Sequence, residues 1–128
     1  MKPRKFSAPC LLLALAAGAF ASGAGRLIQQ APPEAQALSN PYEGNVQAAR
    51  AGARLYARAC ASCHGSNASG LGKAPPLISG DVAQAAPGAL FWVLRNGSLN
   101  RGMPSFAHLP EARRWQIISH LRTLRIQR

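Results

Sequence analysis

Cys60-Ala61-Ser62-Cys63-His64 is the stretch on which the reading of this chain turns. Cysteines three apart near a helix end lie on one face, where each thiol can add to one vinyl group of a haem. The adjacent imidazole then reaches the iron. The C-x-x-C-H spacing is therefore that of covalent c-type haem attachment. A redox dithiol does not need His64 and expects a βαβ surround that this sequence lacks. A zinc site needs four ligands. Beyond Cys60, Cys63 and His64 only His108 or His120 remain, and no second C-x-x-C or H-x-x-x-H pair supports one.

Working outward, the 128 residues allow one small domain. A hydrophobic content of 48% is that of a globular protein, while 6% aromatic residues is thin for a core. Something other than side chains is expected to fill it. Three cysteines exclude a disulfide framework. Lys2, Arg4 and Lys5 precede the apolar run Cys10–Phe20, and Ala19-Phe20-Ala21 offers a small-x-small cleavage pattern. Residues 1–21 thus read as a signal peptide cut after Ala21, with the protein exported to the periplasm. The run is shorter than the roughly 20 residues a membrane span needs. Cys10 stands at its start rather than behind it, which disfavours a lipoprotein anchor. The alternative is a membrane tether through an uncleaved first segment. Cleavage removes three positive charges from a net of +11. It also removes Cys10, so Cys60 and Cys63 stand alone in an oxidising compartment.

Residues 22–44, rich in Ala, Gln, Gly and Pro, read as an extended linker, with a strap at Asn40-Pro41-Tyr42 as the alternative. The ordered domain then runs over 45–128. A domain of that size commonly needs a metal or covalent staple. Asn45 is a cap for a helix from Val46 to about Ala59, with a narrow face of Ala48, Gly52, Leu55 and Ala59. Gly52 in mid-helix costs about 1 kcal/mol relative to Ala, so close approach of another helix is its expected use. Pro87 suits the first turn of a second helix carrying Leu90, Phe91, Val93 and Leu94 and stopping at Gly97. Pro110 and Glu111 open a third, with Trp115, Ile118, Leu121 and Leu124 on one side. No strand alternation is present. The expected class is all-α: three main helices with long loops wrapped around one bound group.

Once Met1 leaves with the leader, Met103 is the only methionine. It sits in Arg101-Gly102-Met103-Pro104-Ser105-Phe106, where Gly102 gives backbone freedom and Pro104 stiffens the approach. A Met filling a core gap is the plain alternative. Met/His ligation is an established pattern for haem iron, so Met103 is the expected sixth ligand. His108 is the rival and His120 a weaker one.

With these residues in place, the chain resembles a class I, monohaem cytochrome c of the bacterial periplasmic type, over about Ala48 to Leu124. The resemblance implies that the first and last helices cross, with Gly52 matching the glycine of that contact. Ile118 or Leu121 would then be its partner, and His120 stands near a usual aromatic. It also implies a P-x-L segment whose proline carbonyl accepts the Nδ1 hydrogen of the ligand histidine. Pro75-Pro76-Leu77 matches, with Pro75 the expected acceptor and Pro76 the alternative. That bond would fix the tautomer of His64. Trp92 and Phe91 would line the haem pocket, with an indole N–H, Arg95 or Asn96 near a haem propionate. Plain core packing is the alternative for Trp92.

A haem held by Cys60, Cys63, His64 and Met103 has both axial positions filled, which suits electron transfer rather than catalysis. Apolar Leu77, Ile78, Phe91, Val93, Leu94 and Phe106 would raise its potential. The expectation is a one-electron carrier with no catalytic site of its own. Its donor would be a periplasmic dehydrogenase, with a quinoprotein alcohol dehydrogenase as one option, and its acceptor an oxidase or reductase. Two alternatives are a haem subunit of a dehydrogenase complex and a haem enzyme or gas sensor with displaceable Met103. The basic balance favours partners with acidic surfaces. Arg113, Arg114, Arg122, Arg125 and Arg128 on the last helix are either a steering surface or a solvated face. Nucleic acid binding is not expected, nor is stable membrane insertion after cleavage.

Overall fold

The structure, a computed structural model, describes Met1 and residues 22–126. The remainder of the 1–21 leader, its cleavage point and Arg128 lie outside the described residues. Within them are seven helices, a single 3-10 turn and two isolated bridges, Leu71–Ala74 and Ser98–Met103, with no strand. The fold is all-α, as the sequence predicts.

The three expected helices are present: α3 at Val46–Ala59, α6 at Pro87–Asn96 and α7 at Glu111–Ile126. Their ends follow local chemistry. The Asn45 side chain accepts the Ala48 N–H at 2.9 Å, closing the start of α3. Pro87 opens α6, and Gly97 ends it at φ 67°, where a positive φ favours glycine. Before these lie α1 (Gly23–Gln29) and α2 (Pro33–Gln36); α4 (Ala61–His64) and α5 (Gly80–Gln84) fall between α3 and α6.

The frame of the molecule is α3 crossing α7. A Cβ at Gly52 would overlap the backbone carbonyl of Gln116, so the helices meet backbone to backbone. The nearest contact of Gly52 is thus the Gln116–Ile117 peptide, rather than the expected side chain of Ile118 or Leu121. The buried face of α3 is Ala48, Ala49, Gly52 and Tyr56. Leu55 is only half-buried and Ala59 is exposed. Tyr56 takes the place that the aliphatic pattern assigned to Leu55. Its ring packs against His120, with centroids 5.4 Å apart. Ile117, Ile118 and Leu121 complete the α7 side of the core. Phe91 of α6 stacks on Trp115 at 4.1 Å and lies under the Arg114 guanidinium at 4.6 Å. It therefore belongs to the α6–α7 contact.

The lead-in at 22–44 is not extended. Ser22 caps α1 by accepting the Gly25 N–H at 3.0 Å, and Pro33 opens α2. Ala and Gln are good helix formers, so two short helices follow from the same composition that suggested a linker. The segment also packs. A Cβ on Gly88 of α6 would overlap the Ala35 carbonyl of α2. The strap reading of Asn40-Pro41-Tyr42 describes what is found. The buried Asn40 amide donates to Ser119 Oγ at 2.9 Å, and Ser119 Oγ lies 3.3 Å from the Tyr42 carbonyl.

Candidate functional site

Cys60 ends α3 and leads into the single turn of α4. Its carbonyl accepts the N–H groups of Cys63 and His64 at 3.1 and 2.9 Å. The two thiols are unpaired and differ in setting: Cys60 is buried and Cys63 exposed. Burial, with the nearby negative charge of a Cys63 thiolate, pushes the Cys60 thiol up to about 11.

His64 is half-buried, and its ring Nδ1 lies 2.9 Å from the Pro75 carbonyl. A carbonyl only accepts, so Nδ1 carries the hydrogen and Nε2 keeps its lone pair for a metal. Of the two prolines considered, Pro75 is the one that makes this bond. The loop between them folds around His64. Gly70 donates its N–H to the His64 carbonyl at 2.8 Å, and Leu77 donates to Ala68 at 2.9 Å. A Cβ on Gly70 would stand 2.9 Å from the Ala74 carbonyl oxygen, so the loop closes only over glycine. Tyr56 adds a brace that the motif reading missed. Its hydroxyl donates to the Gly65 carbonyl at 2.6 Å. Burial, then the charge of Cys60, pushes that phenol up to about 12, so it stays a donor.

Met103 is placed by a second, separate frame. A 3-10 turn at Leu99–Arg101 follows α6. Ser98 and Met103 then exchange backbone bonds of 2.8 and 3.1 Å around it, and Phe106 donates to the Leu94 carbonyl at 2.8 Å. Ser105 Oγ donates to the Arg95 carbonyl at 2.5 Å. Gly97 lets the chain return: a Cβ there would be 2.6 Å from the Pro104 carbonyl carbon. Met103 is half-buried and packs against the core. Its rivals are placed differently. His108 is exposed. His120 faces Tyr56, and burial lowers its pKa.

The other expected pocket residues divide. Leu77 packs against the core and Phe106 lies within it. Trp92 is half-buried, and its carbonyl accepts the Asn96 side-chain amide at 2.8 Å. Arg95 is exposed.

The donor set suits one group better than the alternatives. Two unpaired thiols adjoin an imidazole with a free Nε2, and the Met103 thioether packs against the core from a fixed loop. Among the described residues, no group of three or more His, Cys, Asp or Glu side chains converges to hold a metal ion. The set fits a haem fixed through its vinyl carbons.

The arginines do not form one solvated face. Arg114 is buried, with Glu111 3.8 Å away. Arg122 donates to the carbonyls of Ala83 and Ala85 at 3.2 and 2.9 Å. Both are structural. Arg54 and Arg58 of α3 and Arg113 of α7 instead line an open cleft of about 210 Å³ with Ala51, Leu55 and Gln116, and no acidic side chain is among its walls.

Residues 47–121 match the family model described as Cytochrome C oxidase, cbb3-type, subunit III. The chain belongs to this family of c-type cytochromes. It is accordingly a monohaem electron-transfer protein with covalently bound haem c and its iron. No curated relative matches the chain. Among the described residues, no helix is long and apolar enough to cross a membrane.

Proposed function

We propose that this cytochrome is an exported one-electron carrier, cleaved after Ala21, working in the periplasm between a dehydrogenase and a downstream oxidase or reductase. In this reading Cys60 and Cys63 form the thioethers, and His64 and Met103 are the axial ligands. The observation that carries it is the pair of independent frames on the two axial groups. Pro75, Gly70 and Tyr56 fix the histidine side; Gly97, Ser98 and Phe106 fix the methionine side. Side chains held this firmly change little between oxidation states, which is what fast electron transfer needs. The haem supplies a one-electron iron couple. The chain's part is to hold both ligands, keep Nδ1 of His64 protonated, and surround Met103 with apolar groups. Thioether ligation and apolar burial both favour a positive potential.

The partners follow from charge and from the family. Arg54, Arg58 and Arg113, without acids among them, favour a partner with an acidic surface and make encounter salt-sensitive. The family description names an oxidase subunit, which supports an oxidase at the acceptor end. A dehydrogenase is the proposed donor, with a quinoprotein alcohol dehydrogenase as one option.

Carbon monoxide exposure and voltammetry of the purified holoprotein test this reading. A carrier ignores carbon monoxide and shows a positive midpoint. Rapid carbon monoxide binding would instead select a sensor or enzyme with displaceable Met103. Recovery in membranes with residues 1–21 intact would select a tethered subunit.

A further inference from the structure

The start of α1 is tied down more firmly than a lead-in requires. Ser22 donates its backbone N–H to Asp81 Oδ2 at 3.1 Å, and its hydroxyl donates to the same oxygen. Asp81 lies in the first turn of α5, and α1 packs on both α5 and α6. The next carbonyl, Gly23, accepts from Arg101 Nη1 at 2.9 Å. Arg101 ends the 3-10 turn just before Gly102 and Met103. Two consecutive residues thus bridge α5 to the turn on the methionine side. In a chain with a net charge of +11, no arginine or lysine among the described residues forms an ion pair with Asp81. Its partners are the backbone nitrogen and the hydroxyl of Ser22.

The inference rests on the export reading above, which puts cleavage between Ala21 and Ser22. Hydrolysis of that bond by a signal peptidase consumes one water. The Ala21 carbonyl carbon takes the hydroxyl and departs as a carboxylate, and the Ser22 nitrogen becomes an α-ammonium. We infer that Asp81 is the receptor for this newly formed N-terminus, and that processing fastens α1 across α5 and, through Gly23 and Arg101, onto the turn that leads to Met103. The amide already stands at hydrogen-bond distance from Oδ2, so cleavage adds charge to an existing geometry. The acceptor is a carboxylate, so the bond is charge-assisted before cleavage; what cleavage adds is the attraction of an α-ammonium to that carboxylate. Both groups are exposed, so the gain is modest and weakens with salt.

The test begins with the mass of the exported holoprotein, which gives its first residue. Asp81→Asn is then introduced into this protein and into a version with two extra alanines ahead of Ser22, its start also checked by mass. Thermal melting is followed at low and high salt, together with amide exchange over 23–29 and 99–101. The inference predicts a start at Ser22. It also predicts that at low salt Asp81→Asn lowers Tm by about 2–5 °C more with the native terminus than with the extended one, with faster exchange in both segments. High salt should shrink the difference. Equal losses in the two versions, from a chain that does start at Ser22, would overturn the inference and leave the export reading standing. A start elsewhere, or retention of Met1, would remove the cleavage position and the inference together.

Discussion

Gly97→Ala is the sharpest single perturbation of the methionine-side frame. Gly97 has φ +67°, and an added Cβ would sit 2.6 Å from the Pro104 carbonyl carbon and 2.7 Å from its oxygen, where ordinary contact begins at 3.4 Å. Two costs follow. At ψ −167° Gly97 lies outside the left-handed helical well, in a region almost closed to non-glycine residues, at a cost of about 1–3 kcal/mol. The overlap is with backbone, which cannot rotate away, and overpacking of that kind adds about 1–3 kcal/mol. Gly102 separates the two: its φ is +81°, yet nothing lies within 4 Å of a Cβ there, so Gly102→Ala carries a conformational cost alone. The holoprotein melting temperature should fall by about 4–8 °C per kcal/mol for a domain of this size. The reading predicts a drop of at least about 10 °C for Gly97→Ala and roughly half that for Gly102→Ala. Pro104 directly follows Met103, so Gly97→Ala should also weaken the Met–iron charge-transfer band of the oxidised protein. If the two variants melt together, the Gly97–Pro104 contact does not hold Met103, and the argument for a fixed methionine loop fails.

Three further outcomes are expected. Tyr56→Phe removes one of two donors from the buried Gly65 carbonyl, which keeps the Ala68 N–H at 3.1 Å, and should cost about 0.5–1.5 kcal/mol in urea unfolding of the holoprotein; an unchanged unfolding midpoint would show that the bond does not brace His64. His120 has its pKa lowered from 6.5 by burial, so the unfolded chain binds its proton more readily, and stability should decline as pH falls below 6.5. His120→Phe should flatten that decline, and an unchanged pH profile would contradict the assignment. In stopped flow, reduction of the hexacyanoferrate(III) trianion should slow with salt. Replacing Arg54, Arg58 and Arg113 together by Gln should slow it about tenfold at low salt, with no loss toward a cationic cobalt(III) complex; parallel salt slopes in both proteins would rule the cleft out as a steering surface.

Much of the fold was legible because its strongest signals are local. Asn45, Pro87 and Gly97 mark helix ends by their own backbone chemistry, and α3 and α6 lie where those residues place them, while α7 opens at Glu111, where Pro110 and Glu111 put it. Pro75 as acceptor for His64 came from the motif and its family likeness. Other features depend on distance in space. Gly52 signals close approach, but a sequence does not say that the surface opposite is the Gln116 carbonyl. Tyr56 lies four positions beyond Gly52 on the same face, but a pattern of small and aliphatic residues does not include it. In the lead-in, prolines and glycines suggest extended chain, while Ser22 as a cap and Pro33 at the start of α2 are local signals for helices. That Gly88 and Asn40 seat this segment is a tertiary fact. Arg114 and Arg113 are neighbours with opposite fates, one buried over Phe91 and one lining the cleft, and charge patterning alone cannot part them.

The central claim is that one haem is held by Cys60, Cys63, His64 and Met103. Its most direct test is the visible spectrum of protein matured with covalent haem, oxidised and reduced, beside Met103→Ala. The account predicts a low-spin spectrum with a Met–iron charge-transfer band in the oxidised wild type, and loss of that band in the variant. An unchanged spectrum in the variant would show that Met103 is not a ligand and would send the assignment to His108 or His120. Absence of covalent haem in the wild type would contradict the account at its root.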